Sequence, residues 1–269
     1  MNMLDQIIAN KKKEVEERKS LYPVKLLEKS VYFQSPSVSL RKYLMREDKA
    51  GIIAEIKRKS PSKGIINKYV SVERTAIGYM QAGASALSVL TDAVFFGGSN
   101  EDLITARKFN YCPILRKDFI IDEYQILEAK SIGADVILLL ANVLDPATIK
   151  RMALLARNLG MEVLLEIREE EELSALNEFV DVVGVNNRNL KDFSVNTAQS
   201  LRLGPLIPAE FIKVSESGLS SASVIQELRD AGFRGFLIGE SFMKDSRPEQ
   251  ACARLIKEME ELNKRVSIS

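Results

Sequence analysis

The sequence repeats one unit, in which a short run of β-branched and aliphatic residues is followed by a loop and an amphipathic stretch. Strands that alternate with helices form a parallel sheet, because each helix returns the chain to the edge where the next strand begins. Eight such units within 269 residues predict an α/β fold, a closed (β/α)8 or TIM barrel. The predicted strands are Gly51–Ile56, Ala84–Leu90, Pro113–Arg116, Val136–Leu140, Glu162–Leu165, Asp181–Val185, Phe211–Val214 and Gly235–Ile238.

Helical spacing of apolar residues marks the segments between these strands. The predicted helices are Ser71–Ala82, Asn100–Phe109, Glu123–Ser131, Pro146–Leu159, Glu169–Asn177, Val195–Leu203, Ala222–Ala231 and Pro248–Asn263. Several end at a glycine just before the next strand, which suits a left-handed C-cap. A doubly wound sheet is the alternative fold, but it usually needs fewer strands and a glycine-rich loop after the first strand. The loop after Ile56 is instead rich in lysine.

The residues ahead of the first strand predict an N-terminal helical extension. Leu4, Ile7 and Ile8 recur at helical spacing within residues 1–19, and a second short helix is expected over Val24–Lys29. We therefore expect an extension over residues 1–48 and a catalytic barrel over residues 49–269, together forming a single domain.

Composition limits the partners and the chemistry. A formal net charge of +1 gives no indication of nucleic acid or a membrane surface as a partner. The N-terminus lacks an apolar signal core and no apolar stretch has transmembrane length, so a cytoplasmic protein is expected. Cys112 and Cys252 lack metal-ligand spacing and are expected to be reduced thiols. The chain contains no histidine, so acid–base catalysis has to use Glu, Asp, Lys, Tyr or Cys.

Charged and amide side chains stand at the strand ends, which a barrel brings together on one face. Glu55 and Lys57 lie on the same face of the first strand, since side chains alternate along a strand. The later strands end at Lys117, Glu166, Asn186 and Glu216. Two lysines and three glutamates at one barrel mouth would tune one another's charge. Taken singly, each residue is equally compatible with a structural ion pair, a helix cap or a turn.

Small residues follow the last two strands, at Ser217-Gly218 and at Gly239-Glu240-Ser241. In barrels these two loops often hold a phosphate through backbone N–H groups, and glycine lets the backbone approach the anion closely. The alternative is that both glycines only make tight turns.

Several segments follow one another in a specific order and spacing between Gly51 and Lys244. They are Glu55–Ser62, Ser88–Asp92 with Phe96–Ser99, Leu115–Ile120, Gly184–Arg188 and Ser215–Gly218. Together they resemble the indole-3-glycerol phosphate synthase family, whose N-terminal extension the first helices also resemble. Arg116 departs from the pattern, because family members often carry an apolar residue before the lysine.

The resemblance implies an enzyme of tryptophan biosynthesis that acts on 1-(2-carboxyphenylamino)-1-deoxyribulose 5-phosphate. The arene carbon that bears the carboxylate attacks the ribulose carbonyl, carbon dioxide leaves, and loss of water gives the indole. The reaction needs no metal and no organic cofactor. The expected partner is this phosphorylated small molecule; a monomer is expected, although the sequence leaves an oligomer open.

The resemblance also implies roles for the catalytic residues. Lys117 would protonate the carbonyl oxygen as the ring closes. Lys57 would bind the substrate carboxylate or act as the acid in dehydration, and Glu55 would keep the lysines charged or act as the base. Glu166 would stabilise the cationic ring-closed intermediate or act as the base. The remaining two, Asn186 and Glu216, would orient the hydroxyl and amine groups.

Binding roles follow from the same resemblance. Arg188 and Ser60 would lie near the anthranilate end, and the walls of the aryl pocket would be Phe96, Phe119 and Leu140, each of which could equally be ordinary core. The phosphate site would be lined by Ser217, Gly218, Gly239, Glu240 and Ser241. The Glu240 carboxylate would have to point away from the phosphate, so that only its N–H faces the ligand.

Two rival functions remain open from the sequence. Phosphoribosylanthranilate isomerase is another phosphoribosyl barrel, but it usually relies on a cysteine and an aspartate, and Cys112 precedes its strand at the wrong end for catalysis. The second rival is a non-catalytic phosphosugar-binding protein. Loss of a lysine or glutamate from the mouth would have favoured it, and none is missing.

Overall fold

Eight parallel strands close into a barrel in the computed structural model, which describes residues 2–189 and 193–266. The strands are β1 (Ile52–Ile56), β2 (Ala86–Leu90), β3 (Ile114–Lys117), β4 (Val136–Leu140), β5 (Glu162–Ile167), β6 (Val182–Asn186), β7 (Ile212–Glu216) and β8 (Gly235–Ile238). Each strand pairs with the next, and β1 also pairs with β8, which closes the barrel. The predicted fold and all eight strands are confirmed, and the doubly wound alternative is wrong.

The predicted helices lie in the expected order, and three short helices, α3, α5 and α11, were not predicted. They are α1 (Met3–Leu21), α2 (Val24–Leu27), α3 (Leu40–Leu44), α4 (Val72–Gln81), α5 (Ala93–Phe96), α6 (Asn100–Phe109), α7 (Glu123–Ser131), α8 (Pro146–Asn158), α9 (Ala198–Leu203), α10 (Ala222–Asp230), α11 (Glu240–Met243) and α12 (Pro248–Val266). A two-stranded hairpin, Lys59–Ser60 with Gly64–Ile65, was not predicted and follows β1.

Two helix predictions require correction. The helix expected over Glu169–Asn177 is a 3-10 helix over Glu170–Ala175, in which only Ala175 is buried. Such a segment lacks the apolar face whose packing stabilises an α-helix. The helix expected from Val195 begins at Ala198, because Val195 forms an isolated bridge with Arg188.

Apolar side chains fill the barrel on both sides of its wall. One set, which includes Ile53, Leu138 and Leu237, points inward and packs against Leu40 and Leu44 of α3. The atoms of Leu44 lie near Gly235, at the start of β8, so α3 covers the end where the strands begin. The opposite end, where the strands terminate, is left for polar side chains.

The extension is bound to the barrel by cations of α1. Lys19 Nζ lies 2.8 Å from Asp122 Oδ2, and Arg18 pairs with Glu128 of α7. The predicted domain boundary at residue 48 stays a prediction. Across the described ranges, none of the helices has the length and apolarity that crossing a bilayer requires.

Candidate active site

The strands end at a cavity of about 140 Å3 that adjoins a cleft of about 290 Å3. Every site residue predicted from the sequence lines one of the two. The cavity is lined by Glu55, Lys57, Ser60, Phe96, Lys117, Phe119, Leu140, Glu166, Asn186, Arg188 and Glu216. The cleft is lined by Ser217, Gly218, Gly239, Glu240 and Ser241, and both Ser217 and Glu240 also face the cavity. The structure therefore brings all of these residues together, while their catalytic and binding roles stay predictions.

Glu55 and Lys57 form the ion pair that strand alternation predicts. Lys57 Nζ lies 2.8 Å from Glu55 Oε1, and Ser88 Oγ donates to Glu55 Oε2 at 3.4 Å. Burial alone would raise the pKa of Glu55, but Lys57 and Lys117 outweigh it and lower that pKa. Glu55 is therefore an anion inside the barrel mouth.

Gly239 makes room for this carboxylate. A Cβ atom at residue 239 would lie 2.4 Å from Glu55 Oε1. Any larger residue would therefore push Glu55 out of place before it reached a phosphate. The backbone of residue 239 thus lies so close to Glu55 that only glycine fits there. The sequence predicted a glycine at this position for a different reason, the close approach of a phosphate.

A second charged group lies deeper, where three strands end. Lys117 Nζ is 2.9 Å from Glu166 Oε2 and 2.6 Å from Glu216 Oε2, while Asn186 Nδ2 donates to Glu166 Oε1 at 2.8 Å. Burial would lower the pKa of Lys117, but the carboxylates of Glu166, Glu216 and Glu55 raise it well above its usual range. The ammonium therefore stays charged in the free protein.

One carboxylate oxygen of Glu216 has no hydrogen-bond donor among the described residues. This atom, Oε1, is buried. The oxygen occupies the space beside Gly184, where a Cβ atom would come within 2.2 Å of it. A substrate hydroxyl or amine is the kind of donor that such an acceptor binds.

The pKa of Glu216 predicts a pH dependence. Burial, reinforced by Glu166 and opposed by Lys117, raises the pKa of Glu216 to about 7. Because the ionised form holds Lys117 and is the form predicted to orient the substrate, we expect kcat/KM to fall as the pH drops through about 7. The check is a pH profile of kcat/KM for the wild type and for Glu216→Gln. A Gln variant that keeps the same inflection would assign it to another group.

Aromatic and aliphatic side chains form one wall of the cavity. The rings of Phe96 and Phe119 lie 5.8 Å apart, and Leu140 lines the same space. Sequence reasoning missed a second wall, which the first turns of α1 supply through Met3, Leu4 and Ile7. The apolar stripe along α1 indicated that one face of this helix is buried. It did not indicate which part of the barrel that face packs against.

Cations stand at the rim between cavity and cleft. Arg188 lies 3.0 Å from Glu240 Oε2, and Lys244 Nζ lies 2.8 Å from Glu240 Oε1. The Glu240 carboxylate is thus held by two cations. Lys63 also lines the cleft and was not predicted as a site residue.

The residues that flank Lys117, Arg116 and Asp118, make structural contacts. Arg116 is buried and donates to Glu128 Oε2 at 2.6 Å and to the Gln125 carbonyl at 2.8 Å. Asp118 is also buried and lies 3.5 Å from Arg116. These contacts provide hydrogen-bond acceptors for the Arg116 guanidinium inside the wall of the barrel. The arginine that departs from the family pattern therefore does not line the cavity.

Comparisons with known proteins agree with this site. A family model for indole-3-glycerol phosphate synthase matches residues 4–255. An indole-3-glycerol phosphate synthase of Bacteroides thetaiotaomicron is 46% identical over 256 residues, covering 95% of this chain and 98% of that protein. One from Carboxydothermus hydrogenoformans is 40% identical, covering 94% and 99% of the two chains.

Solved structures share the fold at low identity. A 3-hexulose-6-phosphate synthase from Salmonella typhimurium aligns with a TM-score of 0.59 at 13% identity, covering 78% of this chain and 98% of that chain. A tryptophan synthase subunit alpha from Legionella pneumophila aligns with a TM-score of 0.57 at 14% identity, covering 82% and 97%. They support the barrel alone. The match over nearly the whole chain, by contrast, shows that this chain belongs to the indole-3-glycerol phosphate synthase family.

Proposed function

We propose that the Lys117 cluster closes the indole ring of 1-(2-carboxyphenylamino)-1-deoxyribulose 5-phosphate. As a member of the family, the chain is a carboxy-lyase of tryptophan biosynthesis that forms indole-3-glycerol phosphate. The observation that carries the assignment of residues is the buried Lys117, which contacts two carboxylates at the floor of the cavity. A lysine there is charged, fixed in direction and open to a ligand.

Ring closure places negative charge on the ribulose carbonyl oxygen. The arene carbon attacks the carbonyl carbon, the C=O π electrons move to oxygen, and Lys117 transfers a proton to that oxygen. Three carboxylates raise the pKa of Lys117, so it is a weak acid toward a neutral carbonyl. The developing alkoxide is a much stronger base, which directs the proton transfer to the transition state.

Attack by the ring carbon leaves the aryl-amine part of the intermediate positively charged. Glu166 is suited to stabilise this cation, because it already pairs with one cation and is oriented by Asn186 at 2.8 Å. Loss of carbon dioxide returns the C–C bonding electrons to the ring and removes the charge. Elimination of the new hydroxyl as water then completes the indole.

Lys57 and Arg188 suit the substrate carboxylate. Both line the cavity, and each is paired with a glutamate, Glu55 or Glu240, that fixes its direction. Lys57 also lies 2.8 Å from the Glu55 carboxylate, which keeps its ammonium charged and so able to donate a proton in the dehydration step.

The cleft suits the phosphate. Ser217 and Gly218 both adopt a positive φ, at 69° and 77°, and Asn187 Nδ2 donates to the Ser217 carbonyl at 3.1 Å. This loop is therefore held in an unusual conformation that leaves its N–H groups available, a common design for anion binding. Lys63 and Lys244 add positive charge at the rim. We also propose that the protein acts in the cytoplasm, as an enzyme of amino-acid biosynthesis. We propose that it is a monomer, because the predicted site residues all line one cavity and one cleft within a single barrel.

The proposed reaction has a direct test. The purified protein is incubated with the carboxyphenylamino-deoxyribulose phosphate, and the fluorescence of the indole product is followed. Absence of product would overturn the proposal. Binding of the substrate without product would favour a phosphosugar-binding protein. The isomerase alternative has a separate reason against it, since Cys112 is buried and burial raises the pKa of its thiol to about 12.

A charge placed in the cleft tests the phosphate site. Ser241→Asp should raise the inhibition constant of inorganic phosphate and the KM of the substrate by about tenfold or more, as repulsion of roughly 1.4 kcal/mol requires. Ser223→Asp is the matched control, because Ser223 is an exposed serine on α10 outside the cleft. Equal inhibition constants in the two variants would place the anion elsewhere, for example on Lys57 and Lys59.

A further inference from the structure

Lys11 of α1 is fully buried although it has no place in the reaction. Its exposed fraction is 0%, and it lies one helical turn beyond Ile7, on the same face of α1. A buried ammonium is costly to desolvate, and it stays charged only where carboxylates surround it. The partners of the Lys11 ammonium should therefore show why a lysine is buried at this position.

Three carboxylates surround the Lys11 ammonium. Its Nζ atom lies 2.9 Å from Glu14 Oε2, 3.0 Å from Asp92 Oδ2 and 2.9 Å from Asp118 Oδ1. Glu14 belongs to the same helix, whereas Asp92 follows β2 and Asp118 follows β3. One lysine thus joins α1 to two loops at the carboxyl end of the barrel.

Both of these aspartates fix the backbone of an aromatic residue in the cavity. Asp92 Oδ1 accepts from the Phe95 N–H at 2.7 Å and from the Phe96 N–H at 3.2 Å. Asp118 Oδ1 accepts from the Phe119 N–H at 2.8 Å. Each aspartate therefore links the Lys11 ammonium to one of the two aromatic residues of the same wall.

We propose that Lys11 is a positioning residue that sets the spacing between Phe96 and Phe119, and with it the recognition of the substrate's aryl group. Met3, Leu4 and Ile7 line the same cavity, so α1 contributes one wall directly and holds the other through Lys11. None of these residues is among those that line the phosphate cleft. The proposal rests on the proposed function for the identity of the aryl ligand.

The aspartates keep other partners when Lys11 is removed. Asp118 Oδ2 also accepts from Thr91 and lies 3.5 Å from Arg116, and Asp92 keeps its two backbone donors. A neutral residue at position 11 therefore loosens the loops without leaving either carboxylate isolated. Lys11→Met keeps the length of the side chain, and Lys11→Gln also keeps a hydrogen-bond donor.

The test separates the two ends of the ligand. Inhibition constants for 2-aminobenzoate and for inorganic phosphate are measured in the full-length wild type, Lys11→Met, Lys11→Gln and Lys19→Met, with kcat and KM for the substrate. Lys19→Met is the control, because it removes the same charge from the same helix, and the partners of Lys19 among the described residues are Glu16 and Asp122, neither of which lines the cavity. Circular dichroism and the melting temperature report folding.

We expect the constant for 2-aminobenzoate to rise about tenfold or more in Lys11→Met, with the phosphate constant unchanged and kcat/KM reduced on the order of 10²-fold. Lys11→Gln should lie between Lys11→Met and the wild type, and Lys19→Met should match the wild type. A folded Lys11→Met with both constants unchanged, or with both raised alike, would overturn the proposal. Failure of both Lys11 variants to fold would also overturn it. Absence of turnover in the wild type would instead reject the proposed function.

Discussion

Replacing Lys117 with alanine is expected to lower kcat by about 10²–10⁴-fold, the range that loss of a general acid typically costs. The substrate should still bind, because Lys57, Arg188 and the phosphate cleft do not depend on Lys117 for their contacts. The measurement is kcat from indole fluorescence, with substrate affinity measured separately by equilibrium binding.

The controls separate chemistry from folding. Lys117→Ala leaves Glu166 and Glu216 without the cation between them, so its melting temperature must be compared with the wild type. Lys117→Met fills the same space and should be equally inactive. Lys150→Ala removes an exposed lysine that pairs with Glu178 and should keep full activity. A folded Lys117→Ala that retains more than roughly a third of kcat would remove Lys117 from the acid role, given that range.

Glu166→Gln is expected to lower kcat far more than it raises KM. The amide keeps the shape and can still accept from Asn186, but it loses the charge that stabilises a cationic intermediate. An interaction made mainly in the transition state appears in kcat, whereas one made equally in the ground state appears in KM. Steady-state kinetics over a full range of substrate concentrations distinguishes the two.

Glu169→Gln provides the comparison for that variant. Glu169 is exposed, lies just after the same strand and forms ion pairs with Arg168 and Arg202 outside the cavity. It should behave as the wild type. If Glu166→Gln changed KM alone, Glu166 would be a residue of ground-state binding, and Glu55 would become the better candidate for the essential carboxylate.

The predictable part of the site follows from local rules. Alternation along one strand was enough to place Glu55 and Lys57 on the same face, and closure of eight strands was enough to bring Lys117 near Glu166 and Glu216. Each of these inferences needs only the strand periodicity and the parallel topology.

The remainder depends on contacts distant in sequence. Nothing in the α1 sequence identifies the loops that Lys11 contacts, although a lysine on an apolar stripe was a signal that it would be buried. The short helices α3, α5 and α11 have at most five residues, too few for a periodic pattern. The closeness of Gly239 to Glu55 depends on the register between β8 and β1, which no single segment contains.

The closure of β1 against β8 has a consequence for the order in which the protein becomes functional during synthesis. The extension and β1 leave the ribosome before the rest of the barrel, yet Glu128, the partner of Arg18, follows 110 residues later, and β8 is the last of the eight barrel strands. Until β8 is made, β1 has an unpaired edge, which exposes its backbone donors and acceptors to other chains. Nascent chains therefore depend on completion of the last strand, and the pairing of β1 with β8 joins residues far apart in sequence, a kind of contact that forms slowly.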